Sequence, residues 1–248
     1  VAAAVAVAVS TLLPTAQVSA PPTVATALLA RGAASVRIHD ELRQGAVVST
    51  GSDGVVALDW NGSLRLAAST RVRMLGRDAI ALERGTIYFS STQSGVEVRT
   101  PHGVVRDVGT QFEVQVGRDV LRVRVREGLV DLERRGTKTR AAAGTELSLE
   151  PDGAVARRPI PRGGPEWAWV TAAAPAMRID GNAHDLLAAI AREKGVMLMF
   201  RSQSLDQATR RQLLHGGMML PPDDALAATA TAAGLRYKLT DEALVIER

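Results

Sequence analysis

The sequence predicts a mainly β protein with a small α+β domain at its C-terminal end, and three observations lead there. Short runs of alternating apolar and polar residues, punctuated by glycine, fill residues 28–150. Residues 151–175 hold five of the 11 prolines together with Gly163-Gly164, which marks a boundary. From Met177 onward the apolar period changes from that of a strand to that of a helix. The first region reads as an antiparallel all-β sandwich or roll, and the last, 176–248, as a two-helix α/β repeat domain.

Residues 1–27 come first. Val1 to Leu13 are uncharged and almost wholly apolar, and Pro14 ends any helix they form. A spanning helix needs roughly 20 apolar residues, so this run reads as the end of a membrane anchor or of a leader peptide. Val18-Ser19-Ala20 suits a leader, whereas Pro21 and the lack of a basic start argue for the anchor. Residues 15–27 are small, polar and proline-containing, as a spacer should be.

Within 28–150, Val55 to Trp60 and Ser63 to Leu66 flank Asn61-Gly62, a pair that tolerates positive φ and signals a hairpin. Val120 to Arg126 is the clearest strand, with Arg122, Arg124 and Arg126 on one face. That face is either a solvated sheet surface or a site for an anionic glycan, a phosphate head group or an acidic partner. In the linker, Trp167 and Trp169 imply that its second half packs on a neighbour.

In the last domain Asn182 caps a helix whose apolar positions are Ala183, Leu186, Leu187 and Ile190, with Gly195 as its stop. The strand Val196 to Phe200 follows. A second unit repeats the plan: Pro222 in the first turn, Asp223 and Asp224 at the helix N-terminus, Leu226 and Ala230 inward, then Gly234 and the strand Leu235 to Leu239. A shift of 39 residues superposes Gly195 on Gly234 and Leu187 on Leu226. A hairpin through Thr240-Asp241-Glu242 into Ala243 to Ile246 closes the domain. Its strands are expected to leave an edge open for a partner strand, which makes Leu235, Tyr237, Leu239, Leu244 and Ile246 candidate contacts beside the three arginines.

Chemistry is sparse. There is no cysteine, so thiol nucleophiles and thiolate metal sites are excluded, and eight aromatic residues (three Trp, two Tyr, three Phe) supply too few stacking platforms for a nucleic-acid binder. Residues 1–165 carry 21 Lys+Arg against 16 Asp+Glu and residues 166–248 carry 9 against 10, so the net +4 comes from a basic excess in the first part that is too dilute for a strong field. His39, His102, His184 and His215 fall in four segments without metal-ligand spacing, and no cofactor is expected. His102 and Asp107 would meet on a hairpin, but they have no nucleophile to activate. Gly109-Thr110 is a turn and not a phosphate loop. Met197, Met199, Met218 and Met219 are expected on strands, at least half of them in the core and the rest open to an adaptable contact. An enzyme is not expected.

Several phrases resemble the FecR-type periplasmic domain. They are Leu42-Arg43-Gln44-Gly45 with Val48-Ser49-Thr50-Gly51, Trp60 to Leu66 leading to Ser69-Thr70-Arg71-Val72, Leu82 to Phe89, Val108 to Val114, and Val125 to Val130. The last domain resembles the short N-terminal domain of secretins and TonB-dependent receptors, through Asp185-Leu186-Leu187, Leu214-His215-Gly216, Asp224-Ala225-Leu226 and Ala233-Gly234-Leu235. The resemblance implies the periplasmic part of a regulator anchored in the inner membrane by its N-terminal helix. Such a regulator relays a signal from the signalling domain of an outer-membrane TonB-dependent receptor, often in iron uptake, to an extracytoplasmic-function sigma factor, by protein contact. The sigma factor would be held by a cytoplasmic segment that has no counterpart in these residues. The alternative is a periplasmic envelope module that binds glycan or protein without a sigma factor.

Overall fold

The computed structural model describes residues 20–93, 95–150 and 152–248. The anchor or leader expected at the N-terminus lies outside the described residues, and among those described no helix is long and apolar enough to cross a membrane.

Two sheets build the β unit, and one strand belongs to both. β1 (Thr23–Arg31), β2 (Glu41–Arg43), β3 (Val47–Ser49), β4 (Val55–Asp59), β5 (Ser63–Leu66) and β6 (Arg71–Met74) lead to the long β7 (Ala79–Ser90). β8 (Glu97–Thr100), β9 (Gly103–Asp107), β10 (Gln111–Val116), β11 (Leu121–Glu127), β12 (Leu129–Arg134), β13 (Thr137–Ala142), β14 (Thr145–Leu149) and β15 (Val155–Pro159) follow. The first half of β7 pairs with β6 and β8, and its second half with β5 and β10. The crossing is at Gly85, whose φ of 92° and close approach to Thr70 leave no room for a Cβ. One sheet runs β2-β1-β4-β5-β7-β10-β11-β14-β15 and the other β3-β6-β7-β8-β9-β12-β13. Their inward residues share one apolar cluster, in which Phe89 meets both Trp60 and Phe112 edge to face, at 5.6 and 5.8 Å between ring centroids.

The hairpin at Asn61-Gly62 forms as the sequence indicates, with φ of 48° and 132°. Three details differ. The β7–β8 pair is parallel in an otherwise antiparallel unit. β1 begins at Thr23, inside the expected spacer, because Ala25 and Ala27 are small residues buried on the sheet face and carry little strand signal. β15 lies inside the expected linker as an outer strand ending at Pro159, where proline costs no ladder bond.

After a 3-10 turn at Pro165–Trp167 and α1 (Ala168–Ala172), the C-terminal unit places β16 (Met177–Asn182), α2 (Ala183–Lys194), β17 (Met197–Phe200), α3 (Gln203–Arg211), β18 (Leu213–Leu220), α4 (Pro222–Ala233), β19 (Arg236–Leu239) and β20 (Ala243–Glu247). The Asn182 side chain accepts the Asp185 amide, and Gly195 and Gly234 close α2 and α4 at φ of 69° and 64°. The repeat is therefore strand, helix, glycine, strand, twice. α3 is an additional helix, capped by Ser202, which breaks the two-helix plan; a polar sequence with Leu205 as its one large buried side chain gives it no readable stripe. The three helices pack on a core separate from that of the β unit.

Candidate interaction site

Across six adjacent strands, β5, β7, β10, β11, β14 and β15, register pairing lines up Arg65, Tyr88, Glu113, Arg124, Glu146 and Arg158. Charges alternate along the row. Glu146 Oε2 accepts from Arg124 Nε at 2.7 Å and its Oε1 from Arg158 Nε at 2.7 Å. Burial alone would push the Glu146 pKa up, but these two guanidiniums hold it below the ordinary value. Burial wins at Glu113 and raises its pKa, although Trp169 Nε1 donates to it at 2.7 Å. The face is thus neither the solvated surface nor the open anion site that its arginines suggested: the 3-10 turn and α1 cross it. Arg122 and Arg124 are held by Glu146 and Glu113, and Arg126 is 1% exposed.

Arg126 joins the two units. Its Nη1 donates to Glu193 O at 3.0 Å, its Nη2 to Lys194 O, and its Nε to Arg162 O at 2.8 Å. A β-unit guanidinium therefore caps the negative end of α2. Nearby, Arg65, also 1% exposed, makes a two-pronged pair with Glu193 at 2.5 and 2.7 Å. Arg65 lies over the Tyr88 ring and Arg126 over Trp167, at 5.3 and 5.1 Å. In return Arg192 reaches Ser90 Oγ, Ser91 O and Glu127, while Gln111 Nε2 donates to Arg192 O at 3.2 Å. Sequence reasoning missed Arg65 and Glu193 as partners, since 128 positions separate them.

In the C-terminal unit the three-stranded sheet has the order β17-β20-β19. β20 is central, so Leu244 and Ile246 are buried core residues and not edge contacts. Leu235 is buried just before β19. Tyr237 and Leu239, each 40% exposed, stay on β19, which pairs on one side only among the described residues. Arg236 and Lys238 alternate with them. The two-stranded sheet β16-β18 also has an exposed strand, but its register breaks between Arg178 and Asp180, around Gly216-Gly217. Met197, Met199, Met218 and Met219 are all exposed, against the expectation that at least half would be core: the core face of β17 is taken by Leu198 and Phe200.

His102 and Asp107 do not meet. His102 Nε2 faces Gly117 O at 2.9 Å, and Asp107 accepts the Gly95 and Val96 amides and the Thr110 hydroxyl. Gly109-Thr110 is a bend, with Gly109 at φ 75°.

No curated protein matches this chain in sequence. A crystal structure of a candidate anti-sigma factor from Parabacteroides distasonis ATCC 8503, at 1.65 Å resolution, is similar over 82% of this chain and 99% of that one, with 14% identity and a TM-score of 0.45. A second structure of that description, at 2.50 Å, gives 14% identity and a TM-score of 0.44 over 82% and 98%. Residues 46–131 match the family described as FecR protein. That segment runs from β3 into β12 and contains β7, Arg65 and Arg126, so the part of this chain that is similar to FecR protein carries the β-unit half of the joint.

Proposed function

We propose that this chain is the periplasmic part of a regulator, anchored in the inner membrane, that relays the state of an outer-membrane TonB-dependent receptor to an extracytoplasmic-function sigma factor through protein contact. The observation that carries this reading is the FecR match over residues 46–131. The contact is assigned to the C-terminal unit, where β19, paired on one side only among the described residues, offers an edge with alternating side chains: Tyr237 and Leu239 on the helix side, Arg236 and Lys238 on the other. A partner strand added there gains main-chain hydrogen bonds, and acidic residues on its outer face would meet the two cations.

The test places proline singly at Arg236 to Leu239 and measures binding to the signalling domain of the cognate receptor by calorimetry. Variants that melt cooperatively should lose binding at least tenfold, whereas reversing the partly exposed Arg122 should leave it unchanged. Undiminished binding in every folded β19 variant removes strand addition as the contact. Binding to envelope glycan, with none to the receptor domain, would instead favour the envelope-module alternative.

A further inference from the structure

The joint between the units differs in kind from either core. The two large apolar clusters share no residue, and among the described residues a third, small cluster holds Tyr88 with Trp167 and Val170, flanked by Ile160 and Trp169. The side-chain bonds across it are polar, namely the Arg65–Glu193 pair, the Arg126 cap on α2 and the return contacts of Arg192, and Gly163 packs closely on the Asp241 carbonyl beside them. Opening it would return the buried Arg65 and Arg126 guanidiniums toward water. Tyr88 Oη is buried there without a hydrogen-bond partner among the described residues, so hydration on opening would recover part of what is lost.

The tether has matching geometry. Trp169 is fastened to Glu113 and the Ala172 carbonyl to Arg31, so the chain is fixed to the β unit up to residue 172. β16 begins at Met177. Ala173 and Ala174 are buried and their amides donate to the carbonyls of Trp169 and Thr171, so Pro175 and Ala176 are all that separates the two anchorages.

We propose that this joint is a two-state latch, closed in the structure and opened by rotation of the C-terminal unit about Pro175–Ala176, with the C-terminus of α2 as the catch. In the closed state Ser90 and Gln111 are buried and the partly exposed Glu127 is paired with Arg192; the three stand side by side at the ends of β7, β10 and β11. A partner that binds the C-terminal unit differently in the two states therefore controls access to that strand end, and shifts the latch only by its difference in affinity. The latch goes beyond the proposed function and holds for any partner of the C-terminal unit.

The absence of cysteine permits clean double labelling. Spin labels at Asp119→Cys and Gln207→Cys, both exposed and one in each unit, report the inter-unit distance in the full chain by pulsed electron paramagnetic resonance. Glu193→Gln should raise the open-to-closed ratio at least tenfold. Gly195→Ala should do the same, because its Cβ would land on the Arg126 guanidinium, whereas Gly234→Ala, with the same left-handed backbone and open space around it, should not. One narrow, unshifted distance in both Glu193→Gln and Gly195→Ala, with cooperative melting, would show a rigid weld and overturn the latch. Equal broadening in Gly195→Ala and Gly234→Ala would overturn it too, since loosening of a helix end would then be the cause. If Gly195→Ala fails to melt cooperatively, Glu193→Gln alone decides.

Discussion

Asp131 on β12 is 5% exposed and faces Arg140 of β13, which binds it in a fork at 2.8 and 3.0 Å, with Lys138 Nζ at 2.8 Å. The Arg140 hydrogen bonds are the main cause that lowers its pKa from 3.8 to about 2, against a smaller opposing effect of burial. A depressed carboxyl pKa stabilises the fold above the unfolded value and ceases to do so as pH falls through the folded one. Both cations are more than half exposed, so solvent screening cuts the worth of the cluster to about 1 kcal/mol. Asp131→Asn should therefore lower stability by about that amount at pH 7, with the difference shrinking as pH falls below the unfolded pKa and vanishing below the folded one of about 2 in urea titrations across pH; equal stability at pH 7 would refute it. Residues of this kind were not legible in the sequence. Asn61-Gly62, Gly195 and Gly234 announce themselves because the constraint on φ is local, whereas the partners Arg65 and Glu193 are set by register and docking, which spacing along the chain does not encode.

The cap and apolar stripe of α2 could be read directly, because each rests on contacts within four residues. Asn182→Ala should cost the C-terminal unit about 1 kcal/mol, seen as an earlier denaturant midpoint, and a change under a few tenths would deny the cap its role. The order β17-β20-β19 could not be read: β20 inserts between its predecessors, parallel to one and antiparallel to the other, so an apparent edge strand becomes the core strand. The corner in β7 was equally hidden, since the sheet change appears only in the partners of its two halves. Gly85→Ala tests that corner against Gly136→Ala, a turn glycine at φ 78° with open space about it. Both carry the left-handed strain, but only the first collides with Thr70, and it should cost about 2 kcal/mol more. Equal losses would mean that the sheets can part there without strain.

At the scale of the whole chain, the separate core of the C-terminal unit predicts that residues 176–248 fold alone, while the joint predicts that they do so less stably than in the full protein. Circular dichroism should show the helices retained with a lower melting temperature; an unchanged melting temperature would assign the joint no energy. The change from strand to helix period was legible in the sequence, and Trp167 and Trp169 signalled that the linker's second half packs, but not that it packs across a charged face. The sharing of β7 also bears on how the chain folds. Neither sheet is complete until this strand has partners on both sides along both halves, and those partners come from β5, β6, β8 and β10, so closure waits on contacts distant in sequence. The amides of Ile87 and Phe89 should then exchange with deuterium only when the entire β unit opens, while those of the outer strand β15 exchange through fraying, which makes β7 the clock by which the global opening of the β unit can be timed.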